Sequence, residues 1–119
     1  MDTKQLGIYG ELITARYLRR KGYVILEPNF HSRFGEIDLI AQKKDTIVFV
    51  EVKTRSADYY TRPVCAVTPI KQQRIRKTAL YYLSRLEREV NVRFDVVEVL
   101  VAAKGIKKVK INHIKAAFE

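Results

Sequence analysis

Apolar residues recur at helical spacing near the start of the chain. Leu6, Tyr9, Ile13 and Tyr17 fall on one face of a segment from Thr3 to Lys21, which predicts a first helix. Asp2 or Thr3 can cap it, and Gly22 suits the position just past its end. Gly7 and Gly10 each weaken such a helix by roughly 1 kcal/mol relative to alanine. Close packing of the backbone against another element or a ligand is the expected compensation. A short strand, Tyr23 to Leu26, follows and ends near Pro28.

From Gly35 to Arg55 the pattern changes to a period of two. Glu36 to Gln42 and Thr46 to Thr54 are rich in Ile, Val and Leu, with Lys43-Lys44-Asp45 between them, which predicts a β-hairpin. With Lys44 and Asp45 at the tip, Ile37 falls opposite Val52, Leu39 opposite Val50 and Ala41 opposite Val48. That face is apolar and must be covered. The other face pairs Ile40 with Phe49, Asp38 with Glu51 and Glu36 with Lys53. A slip of one residue scrambles this separation, so the register is well specified.

Asp58 to Val67 reads as an irregular segment. Thr68-Pro69 then opens a second long helix, a capping residue followed by proline at the first helical position. Ile75, Ala79, Tyr82, Leu83, Leu86 and Val90 form its apolar stripe, while Lys71, Arg74, Tyr81, Arg85 and Arg88 fall on another flank. Val92 to Val101 and Ile106 to Ile111 read as two more strands joined around Lys104-Gly105. Lys107, Lys108 and Lys110 guard the last strand against pairing with another molecule. Asn112 can cap a short C-terminal helix. The predicted order is α-β-β-β-α-β-β-α, an α/β fold with a mixed β-sheet flanked by helices.

The 119 residues suit a single domain spanning 1–119, and the 47% hydrophobic content argues against disorder. No apolar run approaches the ~18 residues of a spanning helix. Met1-Asp2-Thr3-Lys4-Gln5 lacks the basic, apolar and small-residue succession of a signal peptide, which sets the expectation of a cytoplasmic protein with no membrane partner. Cys65 is the one cysteine, so disulfide scaffolds and cysteine-based zinc sites are excluded. The 23 Lys and Arg against 13 Asp and Glu leave a net charge of +10, spread over several elements. That balance points to a polyanionic partner, with nucleic acid first.

Against this background the acids on the hairpin stand out. Directly opposed carboxylates repel one another, and partial burial makes the repulsion worse. A divalent cation removes the problem, because Mg²⁺ takes carboxylate oxygens and keeps waters for a phosphate substrate. Lys53 lies on the same face, where an ammonium can orient a water or neutralise charge developing on phosphate. A second reading fits the same pattern: an ion-pair cluster in which Lys53 satisfies Glu51 and Glu36 without metal.

The string Gly35-Glu36-Ile37-Asp38-Leu39-Ile40, followed after the turn by Phe49-Val50-Glu51-Val52-Lys53-Thr54-Arg55, resembles the PD-(D/E)XK nuclease signature. Gly7-x-x-Gly10-Glu11 is similar to the start of the YraN-like (UPF0102) family, a bacterial branch resembling archaeal Holliday junction resolvases. Arg93-Phe94-Asp95-Val96-Val97 extends the resemblance over most of the chain. It departs from the superfamily pattern at Ile37, where a proline usually precedes the aspartate. The resemblance implies a restriction-endonuclease-like fold, with Asp38, Glu51 and the Val52 backbone carbonyl holding Mg²⁺ or Mn²⁺. It also implies Lys53 as the catalytic lysine and Glu11 reaching the same centre from the first helix.

A metal-dependent endonuclease acting on DNA, at branched or single-stranded structures, is therefore expected. A homodimer is expected too, because resolvases cut two strands symmetrically. Arg33, Arg55, Arg62, Lys71, Gln72 and Arg74 are the candidate DNA contacts. For Gln72 and for the loop residues His31 and Arg33, a plain solvated position fits as well. Tyr59 and Tyr60, beside Arg55 and Arg62, suit either stacking on unpaired bases or packing onto the core. Asp95 reads as a buried ion pair with an arginine. Two alternatives compete with the nuclease: a nucleic-acid-binding protein of the same fold that does not cleave, and an adaptor whose basic surface meets an acidic protein.

Overall fold

The computed structural model describes residues 2–56, 67–102 and 109–119. Asp2 caps the first helix, α1 (Thr3–Arg20): its carboxylate accepts the Gln5 N–H at 2.8 Å, while Gln5 Oε1 accepts the Asp2 N–H at 3.0 Å. The reciprocal pair satisfies donors that the first turn leaves open. Gly22 takes a φ of 92° past the helix and turns the chain into β1 (Val24–Ser32). The hairpin follows as β2 (Gly35–Lys43) and β3 (Thr46–Ser56). Thr68 then caps α2 (Pro69–Leu83) by accepting the Lys71 N–H, with Pro69 in the first turn, and β4 (Asn91–Val101) and β5 (Val109–Phe118) complete the order.

The strands lie in one sheet in sequence order, β1 to β5, all neighbours antiparallel except β3 and β4. A parallel pair needs a crossover, and α2 supplies it. One face of the sheet is covered by α1, whose Ala15 and Leu18 pack on Leu39, Ala41, Val48 and Val50. The other is covered by α2, whose Ile75 and Ala79 pack on Ile40, Ile47, Phe49 and Val96. Two-residue alternation on the hairpin thus sorts its side chains between two cores, giving the mixed α/β architecture that the sequence pattern predicts.

Four local expectations are corrected. The first strand runs on through Pro28 and Asn29 to Ser32, because Asn29 adopts a φ of 49° and keeps the chain paired with β2. The second helix stops at Leu83; Leu86 and Val90 still reach the α2-side core, but from the turn beyond it. Ile37 leaves the Leu39 face and joins Ile40 and Phe49 on the α2 side. The C-terminal helix does not form. Asn112 sits within β5 opposite Glu98, and the strand runs on to Phe118 across a register shift where Ala116 takes a φ of 52°. The segment 57–66, with Tyr59, Tyr60, Arg62 and Cys65, lies outside the described residues, as do the expected turn at Lys104-Gly105 and Lys107 and Lys108.

Candidate functional site

The hairpin pairs in the predicted register from Lys43 and Thr46 at the tip to Leu39 and Val50. Beyond that point a side chain takes over from the backbone: Asp38 Oδ2 accepts the Val52 N–H at 2.8 Å. Ile37 turns to the α2 side at the same place, and the Asp38 carboxyl is left in hydrogen-bonding contact with that of Glu51. Glu51 is only 6% exposed. Burial first, then the fields of Glu51 and Glu11, push the Asp38 carboxyl up to about 7, against the lowering effect of the Val52 N–H. Asp38 itself is half-buried beside Glu51.

Glu11 approaches from α1. The helix can come this close because Gly10 lies on β3, where a Cβ would overlap the Thr54 side chain. Gly7 faces open space and has no such reason. The side chain of Asn29 hydrogen-bonds Glu11, yet burial, with Glu36 and Glu51 adding, still raises the Glu11 carboxyl above the ordinary range. Glu11, Asp38 and Glu51 therefore feel one another.

Lys71 arrives from the opposite side, at the first turn of α2, and its Nζ forms an ion pair with Glu51 Oε2. Burial works against that ammonium, but Glu51, Asp38 and Glu36 together hold its pKa above the usual lysine value. Lys53 is half-buried and lies beside Glu98 in the parallel ladder. Among the described residues Glu51 pairs with Lys71, and Glu36 with His31 at 3.3 Å, so the metal-free cluster centred on Lys53 is not the arrangement found.

The expected DNA contacts divide. Arg33 is exposed on the β1–β2 turn, its guanidinium 4.9 Å from the Phe34 ring, and Arg74 lines a groove of about 370 Å³ with Gly35, Glu36 and Lys71. Gln72 is neither a free solvated residue nor pointed at the carboxylates: its Nε2 donates to the Val67 carbonyl at 2.8 Å and its Oε1 accepts from Arg76 at 3.1 Å, fastening the entry to α2. Arg55 Nη1 lies 3.9 Å from Glu98 Oε2. Arg88 leaves the helix flank and donates to Gln42 Oε1 at 3.2 Å.

Sequence reasoning missed three features. Asn29 carries a positive φ and holds Glu11, signalled only by an Asn after Pro28. Glu98 is 1% exposed, and its Oε2 has no hydrogen-bond partner among the described residues. An acid within the apolar run from Val96 to Val101 was the available signal. Asp95 does pair with an arginine, Arg93, at 2.8 Å, but His113 Nε2 also donates to it at 2.7 Å and the Ala116 N–H at 3.0 Å. These donors outweigh burial and hold the Asp95 carboxyl below its ordinary value.

Among the described residues no three His, Cys, Asp or Glu side chains form a ready-made metal cage. The donor chemistry nevertheless suits a hard cation. Two converging carboxylates that repel one another are the usual protein share of a Mg²⁺ site.

The model of the family described as "Uncharacterised protein family UPF0102" matches residues 10–99. The chain belongs to the UPF0102 family. It is 50% identical over 116 residues to a UPF0102 protein of Syntrophomonas wolfei, covering 97% of this chain and 98% of the relative. A UPF0102 protein of Syntrophus aciditrophicus is 52% identical over 115 residues, 95% of this chain and 87% of its own length. One from Thermodesulfovibrio yellowstonii is 46% identical over 114 residues, 96% of each chain. The family name carries no activity, so function must be argued from the site. No helix among the described residues is long and apolar enough to cross a membrane.

Proposed function

We propose that this UPF0102 protein is a metal-dependent endonuclease that hydrolyses DNA phosphodiester bonds at branched or single-stranded structures. The contact between the Asp38 and Glu51 carboxyls, with Glu51 nearly closed to solvent, carries the reading. Adjacent buried anions need either a shared proton or a cation. Asp38, Glu51, the Val52 carbonyl and Glu11 are the residues that would hold Mg²⁺ or Mn²⁺, with water completing the shell. When bound, such an ion polarises a phosphoryl oxygen and lowers the pKa of the attacking water. Lys53 neutralises charge developing on the phosphate, which is where an ammonium stabilises a transition state most. Arg33, Arg55, Arg62 and Arg74 add affinity without reading bases. The same reading places the protein in the cytoplasm and brings two copies together where two strands are cut.

The test is cleavage of linear, flapped, single-stranded and four-way DNA with and without Mn²⁺. Asp38→Ala and Glu51→Ala are expected to abolish metal-dependent cleavage while DNA binding is kept or improved, since each removes a negative charge near phosphate. Lys53→Ala is expected to lose rate and retain metal affinity. Cleavage by both acid variants at the parent's rate would place the active site elsewhere.

The Lys71–Glu51 ion pair favours a second reading, a nucleic-acid-binding protein without cleavage, because an ammonium already neutralises the acids. Calorimetric titration with Mn²⁺ separates the two. A nuclease takes up the ion, and Lys71→Met takes it up more tightly once the competing charge is gone. Absence of Mn²⁺ binding in both proteins supports the binder.

A further inference from the structure

Ile70, Arg74, Lys77 and Tyr81 fall within a narrow arc at 100° per residue, so they form one stripe along α2. The stripe begins beside Lys71 at the carboxylates and runs about 15 Å along the helix axis to Tyr81. Its floor is the β1–β2 turn, which is fixed to the helix. The Ser32 hydroxyl lies 3.2 Å from that of Thr78, the Thr78 hydroxyl donates to the Arg74 carbonyl at 2.9 Å, and the Phe34 N–H donates to Ser32 Oγ at 3.1 Å. Gly35, at φ 145°, lets the turn lie against the Arg74 side chain, where a Cβ would stand 3.5 Å from Arg74 Cβ.

Two open grooves follow this line. The first, already described, holds Arg74 and Lys71, and the second, about 410 Å³, is lined by Ser32, Arg33 and Tyr81. Tyr81 is 43% exposed, a large outlay of aromatic surface for a helix residue. Phe30 supports its ring from behind, with centroids 6.2 Å apart and planes at 32°, and the Arg85 guanidinium lies 5.9 Å from its centroid. The part of the ring left open in the groove is where a flat base can stack. The acid that lines the first groove, Glu36, lies 3.3 Å from His31 Nδ1. The flank thus offers cations along a track and an aromatic platform at its far end.

We propose that this flank binds one unpaired nucleic-acid strand, with Tyr81 as the platform on which a base stacks and Arg33 and Arg74 as contacts to its phosphates. A strand laid along it leads towards Asp38 and Glu51, and in that respect the proposal rests on the nuclease reading and narrows its substrate to single-stranded segments. Stacking explains the choice of ligand. A duplex hides its base faces, whereas every unpaired base has one to offer, and stacking tolerates any sequence.

Fluorescence anisotropy in EDTA tests binding without any cleavage. The probes are labelled oligothymidylate, oligouridylate, an abasic oligomer of the same length and a blunt duplex. Tyr81→Ala is expected to weaken oligothymidylate binding by roughly five- to a hundredfold, while Tyr81→Phe binds as the parent does. The abasic oligomer and the duplex are expected to respond little to Tyr81→Ala. Arg33→Ala with Arg74→Ala is expected to lower the salt slope by about 0.7 for each single-strand phosphate that the protein ceases to neutralise. Whether oligouridylate matches oligothymidylate tells RNA from DNA as the source of the strand.

Equal binding of oligothymidylate by Tyr81→Ala and the parent overturns the proposal. So does an equal loss on the abasic oligomer, because stacking cannot then be the cause. Thermal melts of Tyr81→Ala and Tyr81→Phe check that both fold. Failure of the nuclease reading registers separately, as absent Mn²⁺-dependent cleavage by a protein whose single-strand binding still depends on Tyr81.

Discussion

Asp38 answers to opposing influences: the Val52 N–H favours its charged form, while burial and the neighbouring acids favour the neutral one. The neutral form gains, and its carboxyl moves from 3.8 to about 7 on folding. The folded state therefore binds this proton more tightly than the unfolded chain does. Its contribution to stability is full below the unfolded value and is lost as pH rises through the folded one. Metal-free protein is expected to lose on the order of a few kcal/mol at most on this account as pH climbs through that window. Asp38→Asn should flatten the dependence, because the amide has no proton to lose. Thermal denaturation in EDTA across the same pH range checks it, and an unchanged slope in the variant refutes the assignment to Asp38.

Helix α1 shows how two glycines of one element can differ. Gly10 lies under Thr54, and that contact brings Glu11 down to the carboxylates, whereas Gly7 has nothing near its Cα to exclude a methyl group. Gly7→Ala is expected to stabilise the protein by about 0.5–1 kcal/mol through helix propensity alone. Gly10→Ala, with the same gain in propensity, is expected to destabilise it, because the added methyl forces α1 away from β3. Urea denaturation of the two single variants reads both signs. The nuclease reading adds that Gly10→Ala loses cleavage beyond its loss of stability, since Glu11 moves with the helix.

The molecule is tied together at the far end by a second polar cluster. Asp95 on β4 accepts from Arg93, His113 and the Ala116 backbone, Arg93 donates to the Tyr23 hydroxyl at 2.8 Å, and the Tyr17 hydroxyl lies 3.1 Å from His113 Nδ1. The network joins α1, the turn into β1, β4 and β5, and Asp95 is fully buried. Asp95→Ala leaves a guanidinium, an imidazole and an amide without their acceptor, so a loss of about 3–5 kcal/mol is expected. Differential scanning calorimetry checks it. A loss below ~1 kcal/mol would mean that the cluster contributes little net stability.

Local chemistry made much of this legible in the sequence. The caps at Asp2 and Thr68 depend on residues a few positions apart, and the hairpin tip and the pairing from Lys43–Thr46 to Leu39–Val50 on residues within one hairpin, as does the alternation that puts Glu51 and Lys53 on one face. Tertiary structure decided the rest. Ile37 changed face because the Asp38 side chain captured a backbone donor on the next strand. From Asn112 to Phe118 the chain continued the last strand instead of forming a helix because β4 offered an open edge and Asp95 a place for the Ala116 N–H. Lys71, still exposed on its flank, meets Glu51 because the crossover brings the start of α2 over β3, a meeting across the chain that periodicity along it cannot encode. Periodicity reports which face a residue shares with its near neighbours. What stands opposite that face is fixed only when the helices settle on the sheet.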